Sequence, residues 1–177
     1  MITMEGLGRV HIITGPGKGK TTAAFGMAMR AAGHGYKVCV VQFLKTGETT
    51  GEVMAANRLR GMHVVQFGTG RWIDSRNITS EDRTAAASAM QRVQEVLNSR
   101  DCDMAILDEI NVAAAFGLVD TKELLNLLQT RRKGIEVVMT GRSAPKELVE
   151  YADYVSVVEN TKNPYDKGVK ARKGIEW

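Results

Sequence analysis

Cysteine, histidine and long apolar runs are scarce in this chain, and each scarcity removes a class of function. Only two cysteines, Cys39 and Cys102, occur in 177 residues. They lie far apart in predicted strands and read as small core residues of a protein kept in a reducing compartment. The three histidines, His11, His34 and His63, lack metal-binding spacing and read as structural. No apolar run reaches the roughly 18 residues that a membrane helix needs. The opening MITMEGLGRV is too short and polar for a secretion signal. A cytoplasmic protein is expected. Internal repeats and low-complexity tracts are absent. The net charge is only +4, with a pI of about 9.1, an excess that suits anionic small molecules. No dense basic helix appears, so nucleic acid is not the expected partner.

What is present is enough apolar residue, 44%, for one globular domain with a full core, residues 1–177. Short β-branched runs alternate with amphipathic stretches. Strands are predicted at 9–14, 37–43, 62–67, 103–108, 134–140 and 154–158, and helices at 20–32, 51–60, 80–98, 109–116, 120–131 and 145–152. VCVVQF and MAILD are nearly continuous in apolar character, as strands covered on both faces are. The expected fold is a three-layer α/β domain with a mostly parallel sheet. Gly33 is read as the residue closing the first helix, Ser80 as the start of the third, and Asp120 with Glu123 as a capping box. Two segments lack periodicity: 68–79 (GTGRWIDSRNIT) and the tail 160–177, which carries five basic and two acidic residues together with Tyr165 and Trp177. Segments this long are functional or disordered, and the aromatic residues favour a functional tail.

Residues 14–22, TGPGKGKTT, stand between the apolar run Val10-His11-Ile12-Ile13 and the first predicted helix. A glycine-rich turn ending in Gly-Lys-Thr at such a junction is the setting of a phosphate-binding loop. Gly15, Gly17 and Gly19 permit backbone conformations that turn N–H groups toward an anion. The helix adds its positive end, Lys18 and Lys20 add charge, and the hydroxyl of Thr21 or Thr22 can hold magnesium. Thr14 takes the place of the usual first glycine, so Gly15 must make the turn one position later. A dinucleotide fingerprint fails on glycine spacing. It also fails because the second strand ends Gln42-Phe43-Leu44-Lys45, without an acid for a ribose.

In such sheets ligands gather at the carboxyl ends of the strands. The fourth strand runs into Asp108-Glu109, two adjacent carboxylates whose burial calls for a cation. A nucleotide-bound magnesium would supply it, although capping of the next helix would also explain them. The fifth strand ends Thr140-Gly141-Arg142, where Arg142 either contacts phosphates or is a surface arginine. Asn111 either orders the site or is exposed on its helix. These parts indicate nucleotide binding without deciding which bond breaks.

The strings GPGKGKTTAAFGMAMRAAGHGYKV, VVQFLK, LDEINVAAAFGLV, VVMTGRSAP and PYDKGVKARKGIEW follow one another over nearly the whole chain. In that order they resemble the ATP:corrinoid adenosyltransferases of the P-loop class. The resemblance implies a RecA-like fold, a homodimer, and transfer of the 5′-deoxyadenosyl group of ATP to the Co(I) of a reduced corrinoid, with triphosphate leaving. It implies ATP lying in reversed direction along the loop, and Mg²⁺ or Mn²⁺ at Thr21 and Glu109, with Asp108 beside them. It places Tyr165 and Arg172 in a tail that meets substrate, and it suggests a flavin-type reductase as electron donor.

The family's apolar wedge beneath the corrin ring is often Phe-x-Trp; here Gly70-Arg71-Trp72-Ile73 keeps Trp72 without the phenylalanine. About eight residues precede the first strand, where some relatives carry a longer segment over the corrinoid. The residues expected to carry catalysis are Lys20, Glu109 and Trp72. The alternatives are a P-loop NTPase or small-molecule kinase, and a nucleotide-gated module that binds nucleic acid through its basic tail.

Overall fold

Six strands lie in one sheet with the order β3-β2-β4-β5-β1-β6, every neighbouring pair parallel. In the computed structural model, which describes residues 6–47 and 50–176, the strands are β1 (Val10–Thr14), β2 (Val38–Phe43), β3 (Met62–Phe67), β4 (Met104–Asp108), β5 (Glu136–Thr140) and β6 (Tyr154–Val157). The helices are α1 (Lys20–Gly33), α2 (Gly51–Ala56), α3 (Ser80–Asn98), α4 (Ile110–Ala115), α5 (Thr121–Thr130) and α6 (Lys146–Tyr151). All six predicted strands and helices are present, and the sheet is wholly parallel. Most of the N-terminal stretch before β1, and Trp177 of the tail, lie outside the described residues.

The alternation along β2 divides the core. Val38 and Val40 join Ala24, Phe25 and Ala28 of α1 in one apolar cluster. Cys39, Val41 and Phe43 point to the other face and join Met90, Val93 and Leu97 of α3. All six residues of β2 are buried, as a strand covered on both faces must be. The result is the three-layer α/β architecture of a P-loop NTPase.

Several local expectations needed revision. α2 stops at Ala56 instead of running to residue 60, because Arg58, Leu59 and Arg60 are exposed and Gly61 turns the chain at φ 83. The left-handed glycine after α1 is Gly35, with Gly33 still helical. α3 is capped by Thr79, whose hydroxyl accepts from the Asp82 N–H while Asp82 accepts from the Thr79 N–H. Asp120 caps α5, accepting from the N–H groups of Lys122 and Glu123, but the expected capping box is only half formed, because the Glu123 side chain makes no bond back to the Asp120 N–H. A 3-10 turn, Pro164–Lys167, forms in the tail. Cys39 and Cys102, expected far apart, are neighbours: hydrogen bonding to Cys39 and burial push the Cys102 thiol well above its ordinary range. His11 is structural, as expected, pairing with Glu136 at 2.6 Å and stacking on Tyr154.

Candidate active site

The carboxyl ends of the strands bring the nucleotide-binding motif residues to one edge. Between β1 and α1 the loop turns on Gly15, φ 100, and ends on Gly19, φ 105, the residue before the helix. Neither conformation suits a side chain. Gly17 serves differently: its N–H donates to the Val158 carbonyl at 2.7 Å, so it is not free to face an anion. A Cβ there would lie 2.4 Å from the Glu159 carbonyl oxygen. The chain leaving β6 therefore straps the loop, which explains how it keeps its shape with Thr14 in the first glycine's place. Thr14 Oγ1 accepts from the Ala144 N–H at 3.4 Å.

Lys20 opens α1 and is buried, its ammonium donating to the Gly17 carbonyl at 2.5 Å. Burial, and then the positive charge of Arg142, draw its pKa down, while Glu109 opposes them. Lys18 reaches the tail, pairing with Glu176 at 3.1 Å. Glu176 also pairs with Arg172 at 3.1 Å, so Arg172 is linked to the loop through it. The two threonines part company: Thr22 donates to Glu52 of α2 at 3.0 Å, and Thr21 alone faces the carboxylates.

Asp108 is the hub. Its carboxylate, fully buried, accepts from Thr21 Oγ1 at 2.8 Å and Thr140 Oγ1 at 2.6 Å on one oxygen. The other oxygen accepts from Gln42 Nε2 at 2.8 Å and Lys45 Nζ at 2.7 Å. Burial alone would raise its pKa, but the Lys45 charge and these donors hold it below the usual carboxylate range. Glu109 differs. Burial and the adjacent Asp108 push its carboxyl up, against the attraction of Lys45, Lys20 and Arg142. Its backbone sits at φ 61, the left-handed region that costs a non-glycine residue about 1 kcal/mol or more, and its N–H donates to Thr140 Oγ1 at 3.0 Å. Arg142 is exposed at this edge, and its charge is felt by both Lys20 and Glu109. Asn111 is buried, not exposed; it donates to the Gly141 carbonyl at 3.4 Å, and its Oδ1 has no partner among the described residues.

Two expected site residues lie apart from this cluster. Trp72 is 86% exposed on the loop that leaves β3, with three strands between β3 and β1. The loop is tied down at both ends by Asp82, which accepts from Thr69 at 2.7 Å, Arg71 at 2.6 Å and Thr79 at 2.8 Å. Those bonds hold the Asp82 carboxyl far below its ordinary range despite burial. Tyr165 is also exposed, in the 3-10 turn of the tail.

Sequence reasoning missed Gln42, Lys45 and Asp82. Gln42 is a polar residue inside an apolar strand, a signal that was available; it also accepts from Gln66 Nε2 at 2.9 Å, extending the network to β3. The phosphate-loop threonine, a buried carboxylate backed by donors from β2, β5, α1 and the turn after β2, and nearby cations form a site for a polyanion with a bound cation.

Comparison with known proteins agrees. The family model of ATP:corrinoid adenosyltransferases BtuR/CobO/CobP matches residues 6–177. A corrinoid adenosyltransferase of Escherichia coli strain K12 is 39% identical over 173 residues, covering 96% of this chain and 86% of its own. The corrinoid adenosyltransferase CobA of Salmonella typhimurium is 36% identical, covering 98% and 87%. A corrinoid adenosyltransferase of Pseudomonas aeruginosa is 35% identical, covering 96% and 84%.

Proposed function

The chain belongs to the ATP:corrinoid adenosyltransferase family, and from that premise we propose how its residues divide the work of adenosylating a corrinoid with ATP. In this reaction the corrinoid's Co(I) attacks the ribose C5′ of ATP, the C5′–O bond breaks, and triphosphate leaves with the electron pair. Negative charge grows on the oxygen nearest the ribose. A site complementary to that change must meet a triphosphate along its length.

The observation that carries the proposal is the meeting of the phosphate loop with Asp108 through Thr21. Lys20, the N–H groups of the loop and the amino end of α1 bind the triphosphate and stabilise it as it leaves. Gly15 and Gly19 shape the loop, with Thr14, Gly17, Lys18 and Thr22 supporting it. Arg142 supplies a further cation beside Glu109.

The donor set fits a magnesium or manganese ion. Thr21 directs its proton to Asp108 and so turns its oxygen lone pairs toward the site, where one accepts from Lys45 Nζ at 3.1 Å. Glu109 offers a carboxylate that keeps a quarter of its side-chain surface open. Thr21 and Glu109 would hold the ion, with Asp108 orienting Thr21. When bound, the ion supplies charge neutralisation for the departing triphosphate.

Trp72, on the loop anchored by Asp82, is assigned to the corrin ring, where an apolar surface excludes water. The tail, through Tyr165 and the Arg172–Glu176–Lys18 chain, closes over the nucleotide end of the site as part of the same domain. A homodimer is also proposed; the edge strand β6, with Tyr154, Val155 and Val157 exposed, supports an assembly because such edges are usually covered. The enzyme is assigned to the cytoplasm with a flavin-type reductase as donor, in keeping with its two free cysteines.

The test mixes the enzyme anaerobically with ATP, magnesium and chemically reduced cobalamin and follows the corrinoid spectrum. Conversion to the adenosylated form is expected. An unchanged spectrum with orthophosphate released would replace this reading with a P-loop NTPase or kinase.

A further inference from the structure

Lys45 has no part in the chemistry described so far, yet its ammonium stands at the centre of the oxygen cluster. Nζ lies 2.7 Å from Asp108 Oδ2, 3.1 Å from Thr21 Oγ1 and 4.0 Å from Glu109 Oε1. Thr21 and Glu109 are the side chains assigned to the divalent ion, and Asp108 is the carboxylate that orients Thr21. An ammonium and a metal cation cannot share that space, since like charges a few ångströms apart repel strongly where water is excluded.

The position of Lys45 is built into the backbone. Leu44, just before it, has φ 60, a left-handed conformation that a branched residue adopts only under constraint. The Leu44 N–H donates to the Phe67 carbonyl at 2.9 Å, tying this turn to the end of β3. Gly68, the next residue after β3, lets the two segments touch. A Cβ at position 68 would fall 2.5 Å from the Lys45 nitrogen and 2.7 Å from its carbonyl oxygen. A strained turn and a missing side chain together send the lysine back from the end of β2 into the site, where only 28% of its side chain stays exposed.

We propose that Lys45 is a resident counter-ion that holds the metal position in the nucleotide-free enzyme and gives it up when the ion enters with ATP. The inference rests on the proposed assignment of Thr21 and Glu109 to the metal, with Asp108 orienting Thr21. It explains how the fully buried Asp108 carboxylate is compensated before an ion binds. It also makes metal binding conditional on nucleotide: free Mg²⁺ must displace the ammonium unaided, whereas Mg²⁺ carried by ATP brings the triphosphate, a new anionic partner for the displaced lysine. Metal and nucleotide then bind together.

The experiment titrates Mn²⁺ into the enzyme by electron paramagnetic resonance, with and without a non-reactive ATP analogue. Wild-type protein is expected to take up Mn²⁺ only with the analogue. Lys45→Met should bind Mn²⁺ without nucleotide, at least tenfold more tightly than wild type, and Thr21→Ala in that background should abolish the gain. Lys45→Arg, which keeps the charge, should behave as wild type. Equal nucleotide-free affinity in Lys45→Met and wild type would overturn the proposal. Absence of Mn²⁺ uptake by any form, even with the analogue, would instead overturn the metal assignment beneath it. If melting shows Lys45→Met to be unfolded, Gly68→Ala, which displaces the Lys45 backbone and keeps the charge, takes its place with the same two outcomes.

Discussion

Thr21 and Asp108, 87 positions apart in the chain, are joined by a single hydrogen bond of 2.8 Å from hydroxyl to carboxylate. It connects the first turn of α1 to the end of β4, and so couples the phosphate loop to the acidic pair. The fully buried carboxylate also bonds Thr140 of β5 and Gln42 of β2, so strands on both sides of β4 fix its position. The site is therefore braced on the sheet side by β2, β4 and β5.

Lys20→Ala should lower turnover by about 10²–10³-fold, the usual cost of losing one preorganised charge at a developing anion. Stability should hardly change, because burial and Arg142 already disfavour this ammonium in the folded protein. Anaerobic kinetics beside thermal melting check both halves. Near-normal turnover would remove the lysine from the mechanism.

Glu109→Gln should separate stability from function. The charge is buried beside Asp108, and both effects work against it. Removing it with the shape kept should raise stability by about 0.5–2 kcal/mol, while turnover falls by about 10²-fold or more. Urea unfolding and product formation are the measurements. A variant less stable than wild type would show that the surrounding cations outweigh burial.

Asp82→Asn should loosen residues 68–79 by weakening the bonds from Thr69, Arg71 and Thr79, at a cost of about 1–3 kcal/mol. The corrinoid KM should rise with ATP affinity unchanged, and Trp72 fluorescence anisotropy should fall. Trp72→Ala should show the same selectivity with the loop still anchored. Equal loss of ATP affinity in either variant would contradict the separation of the two substrates.

Glu136 sets an acid limit on stability. Burial pushes its carboxyl up, but the His11 ring and the N–H groups of Arg9 and Gly8 outweigh burial and hold it below the ordinary range. A lowered folded pKa contributes stability that is complete above the unfolded value of about 4.3 and is lost as pH falls through the folded one. The free energy of unfolding should therefore be level near pH 6 and decline below about pH 4.5. Glu136→Gln should start lower and show a shallower acid limb; an identical slope would contradict this.

Much of this molecule is legible in its sequence, and the residues that are not share one property. β2 announces itself by the nearly continuous apolar run VCVVQF, all six residues of which are buried, and α1 because Gly19 and Lys20 mark its start. Asp108 and Glu109 stand out as acids after an apolar strand. Gln42, by contrast, gains its meaning from register, lying opposite Asp108 on one side and Gln66 on the other. Lys45 reads as a surface lysine until the left-handed turn at Leu44 sends it inward. Asp82 looks like an ordinary first-turn acid, and its hold on the loop depends on a fold that returns Thr69 and Arg71 to it. The Gly17 amide looks free for an anion, and only the path of residues 158–159 shows it occupied. Local pattern fixes elements and motif chemistry; cross-strand register and the return path of loops decide which polar groups meet.

The most direct test of the account is the fate of the phosphates in an anaerobic reaction with γ-labelled ATP, magnesium and reduced cobalamin. All label should leave as inorganic triphosphate, one for each adenosylcobalamin formed, because the bond that breaks joins the ribose C5′ to the first phosphate. Label appearing as orthophosphate, or on an acceptor while the corrinoid spectrum stays unchanged, would contradict it.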